Sequence, residues 1–102
     1  MLLMKKRFFE AIRGGEKTTT LRYWRHRRVR EGGTHTVPGL GKVRIESAEP
    51  VDRADLTDDD ARADGFEGVG AMWAALDEIY PPDARDGRTL YRIRFTFLPD
   101  RD

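Results

Sequence analysis

The stretch RTLYRIRFTF, Arg88 to Phe97, constrains this chain more than any other. Tyr91, Ile93, Phe95 and Phe97 alternate with Arg92, Arg94 and Thr96. A strict period of two is the mark of a half-buried strand, with the aromatic and branched residues inward and the polar ones outward. A second alternation runs from Lys42 to Ala48, where Val43 and Ile45 point one way and Lys42, Arg44 and Glu46 the other. Such strands need a cover over their apolar face. One helix-period stripe can supply it: Val69, Met72, Trp73, Leu76 and Ile79, ended by Pro81 and Pro82. The stripe is expected to be buried against the apolar face of the last strand.

The remaining elements are shorter. Lys5 to Arg13 reads as a helix with Phe8, Phe9 and Ile12 on one face, terminated by Gly14 in the left-handed conformation. Lys17 to Trp24 reads as a strand, because three consecutive threonines are poor helix material. Thr34 to Val37 makes a short strand closed by a turn at PGLG. Leu56 onward reads as a helix with Thr57 as N-cap and Asp58, Asp59 and Asp60 complementing its dipole. At 102 residues, 38% hydrophobic and 36% charged, residues 1–102 are expected to form a single α+β domain. Its small, mostly antiparallel sheet should curl into a barrel with short helices against it.

Composition narrows the chemistry. There is no cysteine, hence no disulfide, thiolate nucleophile or zinc-thiolate site. No apolar run approaches the roughly 18 residues that span a membrane, so a cytoplasmic location and no membrane partner are expected. His26 and His35 are too few and too separated for a metal site. The aspartates at 58–60 are a helix start rather than a calcium loop, and PGLGK lacks the spacing of a phosphate loop. No metal and no cofactor are expected. The net charge of +1 conceals an asymmetry: residues 1–44 carry 12 Lys/Arg against 3 Asp/Glu, and residues 45–102 carry 7 against 15. Either a polyanion faces the basic half, or the two halves neutralise one another across the fold.

The most site-like passage is GGEKTTTLR, Gly14 to Arg22. Strand parity places Thr18, Thr20, Arg22 and Trp24 on one face and Thr19, Leu21 and Tyr23 on the other. Leu21 and Tyr23 are the more core-like, which leaves Thr18, Thr20 and Arg22 for a groove. Thr19, on the core side, is expected to be dispensable to a site. Lys17 reaches Thr20 if it belongs to a glycine-supported turn. An ammonium, hydroxyls and a guanidinium then converge, a set suited to an anionic or hydrogen-bond-rich ligand. The plainer alternative is a solvated polar strand.

In these residues the chain resembles the ASCH domain family, whose signature G-x-K-x-x-T-x-R reads here as Gly15, Lys17, Thr20 and Arg22. The helix KKRFFEAIRGG ahead of it, the segment ARADGF with the following helix and EIYP, and the closing strand LYRIRFTFL resemble the family's order along nearly the whole chain. The resemblance implies a PUA-like β-barrel with a cleft floored by the signature, and RNA or a modified nucleoside as ligand. Small single-domain members that this chain resembles in length deacetylate N4-acetylcytidine. Their lysine and threonine correspond to Lys17 and Thr20, working with a later carboxylate. That carboxylate corresponds to Asp64, an aspartate where those hydrolases carry glutamate, or by a local slip to Glu67. The resemblance thus implies a binding site, or alternatively an amidohydrolase, with ribonuclease activity as a third option.

The run RYWRHRRVR, Arg22 to Arg30, interleaves five arginines with Tyr23, Trp24 and His26. Arginines bind phosphates and aromatics stack on bases. Trp24, Arg25, Arg27 and Arg28 are therefore candidate RNA contacts beside Gly15, Lys17, Thr18, Thr20 and Arg22. Trp24 could equally cap the core, and the arginines could pair with the aspartates from Asp52 to Asp60.

Overall fold

The computed structural model describes residues 1–99. A short 3-10 turn over Lys6–Phe8 runs into α1 (Phe9–Arg13). Then come β1 (Thr19–Trp24), β2 (Thr34–Val37), β3 (Gly41–Pro50), α2 (Asp58–Ala63), α3 (Val69–Ile79), α4 (Pro82–Arg85) and β4 (Thr89–Leu98). The strands form one antiparallel sheet in the order β1-β4-β3-β2, curled into a half-barrel. The expected α+β barrel-like architecture is therefore present. Among the described residues no helix is long and apolar enough to cross a membrane.

The last strand holds the centre of the sheet because it can be buried on both faces. Tyr91, Ile93, Phe95 and Phe97 join Val37, Val43, Ile45 and Ala48 in one core, with Phe9 and Ile12 of α1 laid over it. A register shift between Ile45 and Ser47 of β3 is a bulge. It interrupts the clean alternation and lets Ala48, rather than Ser47, continue the buried row. On the opposite face Leu90 joins Leu21 and Tyr23 of β1, Ala61 of α2, and Met72 and Leu76 of α3 in a second core. Arg92, expected outward, is covered on this face, where it pairs with Glu49 at 2.7 Å and Asp60 at 3.1 Å.

The helical stripe is thus buried, but chiefly against β1 rather than against the last strand. Met72 and Leu76 lie at its centre and are buried. Trp73 sits on the flank, half-buried, with the Arg53 guanidinium 4.4 Å over its ring. Ile79, the last residue of the stripe, is 50% exposed. The terminator of α1 also shifts by one residue: Gly14 keeps a helical φ of −80°, and Gly15 takes the left-handed φ of +80°.

β1 and β2 are the two edges of the sheet, and the chain's first residues join them. The Leu2 amide donates to the Thr36 carbonyl of β2 at 3.0 Å, with the Leu2 side chain buried in the first core. The Leu3 carbonyl accepts from the Arg22 guanidinium of β1. Residues 2–3 therefore bridge the gap in the half-barrel.

Met72→Ala should cost about 2–5 kcal/mol, the usual range for emptying a fully buried site. Trp73→Ala should cost less than Met72→Ala, since the indole is only partly buried and its cation contact contributes only about 0.5–2 kcal/mol. Urea denaturation of the two variants measures the order; a larger loss at Trp73 would place the centre of the stripe there.

Candidate active site

Lys17 owes its position to the turn that ends α1. The amides of both Glu16 and Lys17 donate to the Ala11 carbonyl, at 2.9 and 3.1 Å, which folds the chain back under the helix. The Lys17 side chain is then buried, 4% exposed. All three ammonium protons find acceptors: the Thr19 carbonyl at 2.9 Å, the Asp64 carboxylate Oδ1 at 2.9 Å, and the Asp64 carbonyl. The Phe8 ring lies 4.6 Å from the ammonium.

Asp64 arrives from the other side of the sheet. Thr57 and Asp60 form a reciprocal capping box that starts α2, and Asp64 is the residue that caps its end. Two features aim it. The Thr18 amide donates to the Ala63 carbonyl at 2.8 Å, tying the end of α2 to the start of β1. Gly65 then turns the chain with φ +92°, and a Cβ there would stand 3.2 Å from both Lys17 Cδ and the Phe8 ring. The position demands glycine for its dihedral and for its closeness to Lys17. Asp64 is 5% exposed.

Burial dominates the electrostatics of the pair. It pushes the Lys17 amine below its ordinary pKa, opposed by the Asp64 carboxylate, and pushes the Asp64 carboxyl up, opposed by Lys17. Both shifts favour the neutral forms. A proton moved along the 2.9 Å bond converts the ammonium–carboxylate pair into an amine and a carboxylic acid with no change in net charge.

Above the pair lies a cleft of about 300 Å³ at the free edge of β1. Lys17, Thr20, Leu21 and Arg22 form its floor, Leu3, Met4, Lys5 and Phe8 one wall, and Ile79 and Tyr80 the other. An inner recess of about 60 Å³ shares Thr20, Leu21 and Ile79 with the cleft and reaches Asp64 and Phe66. The structure thus brings Lys17, Thr20, Arg22 and Asp64 to one place. Glu67 is exposed and lines neither space.

Several expected residues have other positions or partners. Thr19, expected to be dispensable, stands beside the pair: it is 3% exposed, and its hydroxyl lies 3.4 Å from Asp64 Oδ1. By parity it shares the face of Leu21 and Tyr23, and α2, which packs on that face, ends with Asp64 beside it. Thr18 is exposed, as is Gly15. Arg22 lines the cleft but is partly engaged within the fold: its Nη2 serves the Leu3 carbonyl and Met4 Sδ, and its Nε donates to Thr20 Oγ1 at 3.2 Å. Trp24 packs on Tyr91, ring centroids 5.9 Å apart, beside the first core. Arg25, Arg27 and Arg28 are exposed and line neither the cleft nor its recess.

Sequence reasoning missed the walls. Leu3 and Met4 carry no motif, and only barrel closure brings them to β1. Ile79 belonged to the core stripe by periodicity, but the last turn of α3 overhangs the free edge of β1 and has no sheet beneath it.

Comparison with solved structures supports the fold. Hypothetical protein PH0355 superposes with a TM-score of 0.79 at 14% identity, over 94% of this chain and 95% of that one. The ASCH domain from Lactobacillus crispatus JV V101 gives a TM-score of 0.72 at 15% identity, over 86% and 68%. Protein EF3133 from Enterococcus faecalis V583 gives 0.63 at 14%, over 94% and 75%. At these identities the likeness is one of fold, and that fold is ASCH-like. No family model and no curated protein matches the chain.

Gly65→Ala should destabilise the protein by more than 1 kcal/mol, through the positive φ and the pressure of the new methyl on Lys17. Gly70→Ala, in open space on α3, should be neutral or mildly stabilising. Thermal melts compare the two. Equal effects would mean that the Gly65 turn is not what fixes the Lys17–Asp64 geometry.

Proposed function

We propose that the cleft admits a pyrimidine base, in a free nucleoside or in RNA, and removes an acyl group from its exocyclic amine. The observation that carries this reading is the buried Lys17–Asp64 pair beneath a cleft that also contains the Thr20 hydroxyl. A buried ion pair is seldom the most stable filling of a site, since desolvation costs several kcal/mol per ion. At the floor of a cleft it is better understood as acid–base machinery. The apolar walls and hydroxyl-bearing floor suit a flat, hydrogen-bonding ring. The G-x-K-x-x-T-x-R spacing and the shared ASCH-like fold support the choice of N4-acetylcytidine as test substrate.

The chemistry balances around the proton exchange within the pair. In its neutral tautomer Lys17 is a free amine and Asp64 a carboxylic acid. The Thr20 hydroxyl attacks the amide carbonyl and gives its proton to Lys17. The carbon–nitrogen bond then breaks as Asp64 protonates the departing amine. Thr20 is left as an ester, and the pair as ammonium and carboxylate. Water attacks the ester, with Asp64 taking its proton and Lys17 returning one to the threonine oxygen. The carboxylic acid leaves and the neutral pair is restored. Arg22 is a positioning residue in this scheme: its Nε occupies an acceptor site of Thr20 Oγ1, so the hydroxyl proton points elsewhere, and its Nη2 holds the Leu3–Met4 wall.

Purified protein should release cytidine from N4-acetylcytidine, read by chromatography. Thr20→Ala and Asp64→Asn should each lower kcat at least 100-fold. Lys17→Arg should do the same, because arginine does not give up a proton near neutral pH. Thr19→Val should be intermediate, since it removes a donor from Asp64 without touching the nucleophile. Absence of hydrolysis by the wild type, with cytidine or its acetyl derivative still bound, would leave a binding cleft and remove the catalytic roles.

The pH profile tests the pair separately. Both tautomers hold the same number of protons, so the active fraction is constant between the two macroscopic pKa values of the pair. Below that window Asp64 and Lys17 are both protonated and the base is lost; above it both are deprotonated and the acid is lost. The profile of kcat/KM should be a plateau with two falling limbs. A rate that climbs steadily to pH 10 would mean that Lys17 acts without Asp64.

A further inference from the structure

The four arginines of the β1–β2 connection are the densest group of exposed arginines without a carboxylate partner among the described residues; Arg7, Arg13 and Arg88 share that state but lie singly. Arg44, Arg53, Arg62, Arg85, Arg92 and Arg94 each reach a carboxylate within 4.0 Å. Arg25, Arg27, Arg28 and Arg30 are exposed, and among the described residues none pairs with a carboxylate. The segment from Arg22 to Arg44 holds seven Lys/Arg and a single acid, Glu31. The aspartates of residues 52–60 do not neutralise the loop, as composition alone had allowed; Asp60 pairs with Arg92 instead. Four guanidinium groups within six residues repel one another, and an anion would relieve that repulsion.

The loop is also held in shape. Val29, between Arg28 and Arg30, is 6% exposed and buried in the first core. The Gly32 amide donates to the Ile45 carbonyl at 2.8 Å, and the Ile45 amide returns a bond to the Gly33 carbonyl at 2.8 Å. The backbone carrying the arginines is thereby pinned to β3. It borders a depression of about 530 Å³ lined by Arg27, Arg28, Arg30, Gly33, Thr34 and His35, with the buried Val29 as its one apolar side chain. None of these residues lines the Lys17 cleft.

We infer that this depression binds the phosphodiester backbone of single-stranded RNA, as a site separate from the cleft. Arginines on a fixed backbone offer forked donors that match phosphate oxygens, and little ordering is needed on binding. The exposed large apolar residues, Met1, Leu3 and Ile79, are not part of it. Its one apolar lining residue, Val29, is buried in the first core, so the depression offers no exposed apolar anchor of the kind a membrane or a typical protein interface would use. Trp24 and Tyr91 are packed together on the core, and His35 is the one aromatic ring lining the depression, so recognition is chiefly of the backbone. The choice of RNA among polyanions rests on the proposed reading of the cleft as a base site. With both sites filled, the substrate of the cleft would be a base carried on a strand.

The test is fluorescence anisotropy with a labelled oligouridylate of about twelve nucleotides, titrated across salt from about 50 to 200 mM, where phosphate contacts dominate affinity. The wild type should bind, with log K falling linearly in log salt. Arg27→Ala/Arg28→Ala should weaken binding about tenfold or more at low salt and reduce the slope by about 1.4, at about 0.7 for each lost contact. The same variant should hydrolyse free N4-acetylcytidine at the wild-type rate, and Thr20→Ala should keep the oligonucleotide affinity. Failure of the wild type to bind at about 50 mM salt, or an unchanged slope in the double variant, would overturn the inference. So would oligoglutamate binding as tightly as the RNA. Arginine-dependent RNA binding without hydrolysis of the nucleoside would support this site while counting against the chemistry assigned to the cleft.

Discussion

The rest of the candidate site is arranged around one interaction, the buried ion pair between Lys17 and Asp64. Neither residue could be buried alone, because an uncompensated charge in the interior costs several kcal/mol. Together they are held by a closed set of bonds: three acceptors around one ammonium, and the Thr19 hydroxyl near the carboxylate. Three local features of backbone chemistry serve that pair. Gly15 turns the chain so that Lys17 points inward, the capping box at Thr57 starts α2 in register, and Gly65 lets the chain after Asp64 pass close to the lysine stem.

The position of the cleft follows from the topology of the sheet. A half-barrel of four strands leaves two edges, and an edge is where backbone and side chains remain accessible. The first residues of the chain bridge the edges but do not fill the space beside β1, and α3 ends just beyond it. The cleft is what remains between these two covers. Closure also reassigns Arg22: a side chain that by composition suits a phosphate instead holds the wall of the cleft and the Thr20 hydroxyl. The densest group of exposed arginines without a carboxylate partner among the described residues lies on the β1–β2 loop, pinned by Val29 and by its exchange of bonds with Ile45. The cations of the cleft are held in bonds to Asp64, Leu3 and Thr20, whereas those of the loop are exposed, although the sequence presents both as one basic stretch.

What the sequence determined by itself are the features written in local physics. The period-two alternation of β4 forces two-sidedness, and the structure keeps Ile93 and Phe95 buried with Thr96 exposed. Thr57 ahead of three aspartates specifies a helix start through hydrogen bonds that span only three residues. The prolines at 81 and 82 stop α3 because they cannot continue its ladder. Strand parity separated Thr20 from Leu21, and the signature spacing pointed to Lys17. Only the tertiary structure decided whatever depends on surfaces far apart in the chain. Trp73 and Ile79 belong to the same helical stripe as Met72, yet what each meets depends on where the sheet beneath ends. Thr19 sits on the core side of its strand, and becomes part of the site only because α2 brings a carboxylate 45 residues away to within reach. Leu3 and Met4 carry no periodic or motif signal, and they wall the cleft because a barrel must close. A sequence records the preferences of each residue over one turn or one pleat; which two such faces meet is set by packing and closure of the whole chain.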